Sequence, residues 1–338
     1  MTAGHSQFHV EKSRDPNDKR DIVPAGMPSD ALHLLAGEVE IAFAYARAEK
    51  SAATRRAYKS DFEIFRVWCE ARGTSALPAV AETVAAFLGA EADRGLRPST
   101  IGRRLAAIRY AHRLAGLAIP TDDELVRATA RGIRRSLGAA PVKKAPATAD
   151  KVMAMATVSH GRLASLRDRA LLLFGFASAM RRSELAALDV GDIEEATDGL
   201  RVTIRRSKCD PEGRGEIIAV PRGNVVCPVA ALKKWLEAAG ITTGPVFRPI
   251  AKGGHVQDAH LTGRSIANVV KAHAERIGLD PKQFSGHSLR SGFLTSAAAR
   301  GASIFRMADQ SRHKSMEVLR GYIRDAEIFK DHAGRGLL

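Results

Sequence analysis

The sequence predicts a mainly helical protein with one small antiparallel β-sheet, arranged as an all-helical N-terminal domain followed by an α+β domain. Three observations carry this. Helical periodicity runs almost unbroken from Gly37 to Gly138. A stretch with two prolines and two lysines interrupts it at 138–149, and beyond that two short runs rich in β-branched residues flank a turn-rich segment. At 338 residues the chain is long enough for two domains, each with its own core.

Residues 1–38 are polar and charged, with little apolar periodicity, and read as a mobile N-terminal tail. The helical domain is expected over 39–138. Tyr58, Phe62, Phe65 and Cys69 recur at i, i+4, i+7, i+11 and make one apolar face. Val80, Val84, Phe87 and Leu88 make a second, on a helix that stops near Gly95. Pro98-Ser99-Thr100 opens a third, with Ile101, Leu105 and Ile108 on its buried side. Thr121-Asp122-Asp123-Glu124 reads as a capping box for a fourth, lined by Val126, Ala130, Ile133 and Leu137.

Residues 139–149 read as a linker, and 150–338 as the second domain. Helices are expected near 149–158 and 165–179, then strands at 200–206 and 216–220. The segment between the strands, 207–215, reads as a hairpin loop carrying Lys208. Pro228 suits the first turn of a helix that ends at Gly240. Helical patterns resume at about 262–277, 287–300, 303–312 and 315–323.

Lys and Arg number 52 against 37 Asp and Glu, a net charge of +15 that points to a polyanionic partner, with nucleic acid first. Arg127, Arg131, Arg134 and Arg135 share one side of the fourth helix, and Arg103, Arg104, Arg109 and Arg113 crowd the third. Such stripes are often only solvated faces. Here acidic partners at i,i+4 are nearly absent, so phosphate contact is the preferred relief. Lys143 and Lys144 extend the basic surface along the linker. These residues would position the protein on a backbone rather than read sequence.

Other classes recede. No apolar run approaches the roughly 18 residues that span a bilayer, so no membrane partner is expected. The polar start is unlike a secretory leader. Three scattered cysteines, Cys69, Cys209 and Cys227, fit free thiols in a reducing cytoplasm. Neither a P-loop nor a carboxylate cluster for a two-metal nuclease is present, and no metal or cofactor is expected.

The candidate chemistry lies in Arg181, Glu184, Lys208, His287, Arg290, His313 and Tyr322. A phosphodiester needs clamps on its non-bridging oxygens, and arginine forks supply them. Its cleavage needs an acid and a base, for which histidine and lysine serve. The nucleophile can be a phenol, which conserves the bond energy in a phosphotyrosyl link that a second hydroxyl reverses. Taken singly, Arg181 and Glu184 read equally well as a structural ion pair, while a lone Lys208 is more often a solvated turn residue and a lone Tyr322 is usually core.

Together these residues resemble the tyrosine recombinases, the phage integrase family. Ala179-Met180-Arg181-Arg182-Ser183-Glu184-Leu185 resembles the first arginine box, and Ser285-Gly286-His287-Ser288-Leu289-Arg290 resembles the His-x-x-Arg box. His313 and Tyr322, nine apart, match the family's last histidine and nucleophile. The helical domain looks like the core-binding domain of Cre-type members.

The resemblance covers roughly 40 to 335 and implies a core-binding domain joined to a tyrosine-recombinase catalytic domain. It implies double-stranded DNA as partner, a tetramer on paired sites and a C-terminal tail that docks on a neighbour. It also implies roles. Tyr322 would be the nucleophile. Arg181, Arg290 and His313 would stabilise the scissile phosphate, and Lys208 would protonate the leaving 5′ oxygen. His287 would act as acid/base, and Glu184 would orient. Two positions depart from the common pattern: Arg182 stands where many members have an apolar residue, and Ser311-Arg312 where many have Leu-Gly. Each departure adds a cation near the site. A type IB topoisomerase, a non-catalytic DNA-binding regulator and a histidine-based ribonuclease remain alternatives.

Overall fold

The structure, a computed structural model, describes residues 36–138, 140, 143–157, 162–205, 215–326 and 334. The chain divides into two compact units, Met1–Pro141 and Val142–Leu338. In the first, α1 (Ala36–Ala48), α2 (Ala52–Glu70), α3 (Ala81–Asp93), α4 (Pro98–Leu114) and α5 (Glu124–Leu137) follow one another. Ser51 caps α2 by accepting from the Thr54 amide, and Pro98 sits in the first turn of α4, where no amide is needed. Phe65, Phe87, Leu88, Ile108 and Val126 are fully buried between α2 and α5. Phe65 and Trp68 both pack on the Phe87 ring, at 5.0 and 5.4 Å between centroids.

Two details differ from the sequence reading. The fourth predicted helix, α5, is capped by Asp123, which accepts from the Leu125 amide, because Pro120–Asp122 is taken up in a 3-10 turn that buries Thr121. Val80 and Leu137 are exposed (61 and 50%), since Val80 precedes its helix and Leu137 lies in a last turn beyond the core.

The arginine-rich helices also have acidic partners after all, most of them drawn from other elements. Arg103 grips the buried Asp61 of α2 at 2.6 and 3.0 Å, and Arg104 pairs with Glu91 of α3, which is fully buried. Arg109 and Arg127 share Asp122, and Arg131 reaches Glu124. Arg104 therefore neutralises a core carboxylate, a structural task. Arg113, Arg134 and Arg135 remain exposed.

The second unit holds α6 (Ala149–Thr157), α7 (Leu163–Ala177), α8 (Arg182–Ala186), β1 (Ile193–Ala196), β2 (Gly199–Ile204), β3 (Glu216–Pro221), α9 (Pro228–Ala238), α10 (Gly263–Arg276), α11 (Ser288–Ala299), α12 (Ile304–Ser311) and α13 (Met316–Ala326). The strands form one antiparallel sheet in the order β1-β2-β3, with Ile193 opposite Val202 and Val202 opposite Ile218. Leu200, Val202 and Ile204 point inward while Arg201 and Thr203 point out, the period-2 alternation of a half-buried sheet. Leu171, Leu172, Phe174, Trp235, Phe247 and Leu289 fill the core, where the Trp235 indole donates to the Val246 carbonyl at 2.8 Å.

The expected linker is in part a built strap. Ala145 N donates to Gln283 O (2.8 Å) and Ala147 N to Ser288 O (2.9 Å), and Lys144 Nζ donates to Lys282 O (2.6 Å). Its seat is Gly292 in α11, where a Cβ would lie 1.7 Å from the Ala147 carbonyl oxygen. The Lys144 ammonium thus already has a backbone carbonyl acceptor. Lys208 falls outside the described residues, as do the apolar residues of the tail, Ile328, Phe329, Leu337 and Leu338. Among the described residues no helix is long and apolar enough to cross a membrane, and no group of three or more His, Cys, Asp or Glu is placed to hold a metal ion.

Candidate active site

The site is built where the end of α7, the start of α11 and the turn after α12 meet. Ala170 to Gly175 form a buried apolar stretch before α7 ends at Ala177, and the chain then reverses through Ala179 at φ +49°. Left-handed backbone costs a residue with a side chain about 1–2 kcal/mol. The turn puts the Ala179 carbonyl 2.6 Å from one guanidinium nitrogen of Arg290 and starts α8 with Arg181 as its cap residue.

Glu184, one turn into α8 and buried, accepts from the Arg181 amide (2.7 Å) and from its guanidinium (2.8 Å). The same carboxylate accepts from Arg312 at 2.5 Å. A second nitrogen of Arg181 donates to the Arg312 carbonyl at 3.2 Å.

Arg290 lies in α11 with 1% of its surface exposed. Burial, with Arg181 and Arg312 nearby, pulls its pKa down to about 10, still charged at neutral pH. Its other terminal nitrogen reaches the His313 ring, 3.2 Å from Nδ1 and 3.4 Å from Nε2. Ser311 Oγ donates to the Met307 carbonyl (2.5 Å) and lies 2.7 Å from His313 Nδ1. With its proton committed to Met307, the serine oxygen is an acceptor. This assigns the proton of neutral His313 to Nδ1 and leaves Nε2 as the nitrogen for Arg290 or a ligand.

Burial and then the charges of Arg290, Arg181, His287 and Arg312 push the His313 pKa down to about 4. His287, at the start of α11, is lowered too, by desolvation first and then by Arg290 and Arg181. The pocket is thus a nest of positive charge that holds its imidazoles neutral until an anion arrives.

Tyr322 lies in α13, partly buried against Leu294, Met307 and Leu319, and within electrostatic reach of Arg290. The expected residues Arg181, Glu184, His287, Arg290, His313 and Tyr322 are therefore gathered at one place. Arg103, Arg104, Arg109, Arg113, Arg127, Arg131, Arg134 and Arg135 belong to the helical unit. Ser311 and Ala179 join the site beyond the residues expected to carry its chemistry, Ala179 having stood only in the arginine box and Ser311-Arg312 only as a departure from the common pattern. Arg312 is part of the site as well. It is buried, sits at φ +56° and touches Glu184 directly. Arg182 lays its side-chain stem across Gly286 and Gly263, where an added Cβ would come within 2.6 and 3.1 Å of it.

A helical unit followed by an α+β unit whose paired arginines, imidazoles and phenol converge defines the class of the tyrosine recombinases. Residues 147–327 match the model described as the phage integrase family, and residues 43–116 match the phage integrase N-terminal SAM-like domain. The chain belongs to the phage integrase family and is a site-specific tyrosine recombinase.

An integrase/recombinase xerD homolog of Selenomonas ruminantium is 39% identical over 295 residues, covering 85% of this chain and 86% of the relative. The recombinase cre of Escherichia phage P1 is 26% identical over 281 residues, covering 77 and 80%. Among solved structures, a lambda integrase fragment, a dimer bound to a COC′ core site, superposes with a TM-score of 0.58 at 18% identity, over 87% of this chain and 95% of that one. The XerH recombinase bound to palindromic difH gives 0.52 at 13% identity over 74 and 70%. These two likenesses establish the fold.

Proposed function

We propose that this chain cuts and rejoins duplex DNA through a 3′-phosphotyrosyl intermediate on Tyr322. The tyrosine oxygen bonds to phosphorus as the bond to the 5′ oxygen breaks. The phenolic proton passes to His287, and the leaving oxygen takes a proton from Lys208. Arg181 and Arg290 neutralise the non-bridging oxygens of the five-coordinate transition state, and His313 donates to them through Nε2 once the phosphate charge favours its protonation. Glu184 keeps Arg181 aimed.

The observation that carries this reading is the convergence of Arg290 on His313, 3.4 Å from Nε2, with Arg181 held on the same wall by Arg312. The exposed Arg113, Arg134 and Arg135 suit phosphate contacts outside the site. Self-association into a tetramer on paired sites is part of the same proposal. An apolar groove of about 840 Å³, lined by Val152, Met153, Phe176, Val225 and Phe293, would receive the C-terminal tail of a second copy.

The test begins with duplexes selected from a random library by the Tyr322→Phe protein, then rebuilt with a nick that lets the released 5′-hydroxyl strand diffuse away. Wild type is expected to accumulate a covalent protein–DNA adduct and Tyr322→Phe none. Equal adduct from both proteins would refute the nucleophile. Relaxation of supercoils lacking the selected site, by a monomer, would move the chain to the topoisomerases.

A further inference from the structure

Arg312 stands where the local backbone suits glycine. At φ +56° a residue with a side chain is strained, and this side chain is 97% buried by its 3% exposure. Its Nε and Nη1 have no hydrogen-bond acceptor among the described residues. A buried cation with unmet donors on a left-handed backbone is a poor way to gain stability. Strain of this kind persists where surrounding structure enforces a working geometry.

The contacts of Arg312 indicate what is enforced. Its Nη2 lies 2.5 Å from Glu184 Oε2, the carboxylate that also holds Arg181, and its Nε lies 3.5 Å from Glu216 at the start of β3. Its carbonyl accepts from Arg181 at 3.2 Å, and the next residue is His313. Gln310, two residues earlier, pins the same turn by donating to Ala177 O (3.1 Å) and Ala219 O (2.9 Å).

We propose that Arg312 is a positioning residue for strand cleavage, fixing Arg181 through its own carbonyl and through Glu184 while it sets the turn that presents His313. This rests on the catalytic reading above. Residue 312 touches no reacting atom. It ties α8, β3 and the His313 turn into one rigid wall, so the clamp is formed before DNA arrives. Preorganisation of this kind matters because a displacement of about 1 Å in such a clamp lowers rate by roughly 100-fold.

The test uses the full chain and the selected, nicked duplex. Arg312→Gly keeps the turn and removes the side chain; Arg312→Asn does the same with a residue that tolerates left-handed backbone. Both are expected to bind the duplex within about 3-fold of wild type, while adduct formation at saturating DNA slows by roughly 10- to 100-fold. The rate should also change its pH dependence. His313 faces the charges of Arg290, Arg181, Arg312 and His287, and hydrogen-bonds to Ser311. Losing one cation eases its protonation, so its titration moves to higher pH. Arg312→Lys, which keeps the charge without the fork, should restore the pH profile and only part of the rate.

Wild-type rate and an unchanged profile in Arg312→Gly would overturn the proposal. So would loss of folding or DNA binding in both neutral variants, which would make the residue structural. Absence of adduct from wild type itself would instead overturn the catalytic reading, and this role with it.

Discussion

Replacing Glu184 by glutamine changes one oxygen for one nitrogen yet removes the negative charge that touches both Arg181 and Arg312 in the site. The Arg312 side chain is 3% exposed, so its charge cannot be returned to water. Deleting one partner of a buried ion pair costs about 3–5 kcal/mol. Glutamine keeps one acceptor oxygen, so the lower end, about 3 kcal/mol, is expected. For a unit of roughly 200 residues each kcal/mol moves the midpoint by about 2–4 °C, giving a fall of roughly 6–12 °C in Tm. The double variant Glu184→Gln/Arg312→Gly removes the stranded cation as well and should melt within about 1 kcal/mol of wild type. Calorimetric or near-UV dichroism melts of the three proteins at pH 7.5 measure this. A Glu184→Gln midpoint within about 1 °C of wild type, or a double variant no better than the single, would refute the reasoning.

Other outcomes follow from the same geometry. His313 titrates near 4 in the folded protein, against about 6.5 in an unfolded chain, so protons favour unfolding. The stability it protects is whole above pH ~6.5 and is lost as pH falls toward 4, about 2 kcal/mol after allowance for its partial exposure; urea melts at pH 7.5 and 4.5 should show His313→Gln losing less. Gly292→Ala would drive a methyl into the Ala147 carbonyl, destabilising the second unit by roughly 2–4 kcal/mol and opening residues 143–148 to protease. Arg104→Ala removes one of the arginines on the buried Glu91, leaving Arg94 at 3.0 Å from its other oxygen, and should lower the melting point of the helical unit. Arg134→Ala/Arg135→Ala should leave melting unchanged and reduce the slope of log affinity against log salt by about 2.

What the sequence revealed depends on range. Arg181 and Glu184 are three apart on one helix start, and His287 and Arg290 likewise, so local spacing alone set them on common faces. The inward residues of β2, Leu200, Val202 and Ile204, were equally legible from alternation. Strand β1 was not, because Ile193-Glu194-Glu195-Ala196 is short, lies at the sheet edge and lacks an apolar repeat. The acidic partners of the arginine helices were hidden for another reason: Asp61 and Arg103 stand 42 positions apart, and a count of neighbours at i,i+4 cannot see such a pair. Nothing in the letters of Ala179 or Arg312 signals a left-handed backbone, which tertiary contacts impose on them.

Ala179 has a consequence for anyone who sets out to harden this protein against heat. Glycine at that position relieves about 1–2 kcal/mol of backbone strain against an entropy loss of about 0.5–1 kcal/mol, so a melting-temperature screen would score it as neutral or improved. The same exchange loosens the carbonyl that fixes Arg290. Variants ranked by thermal survival alone would therefore collect a slower recombinase and record it as a success.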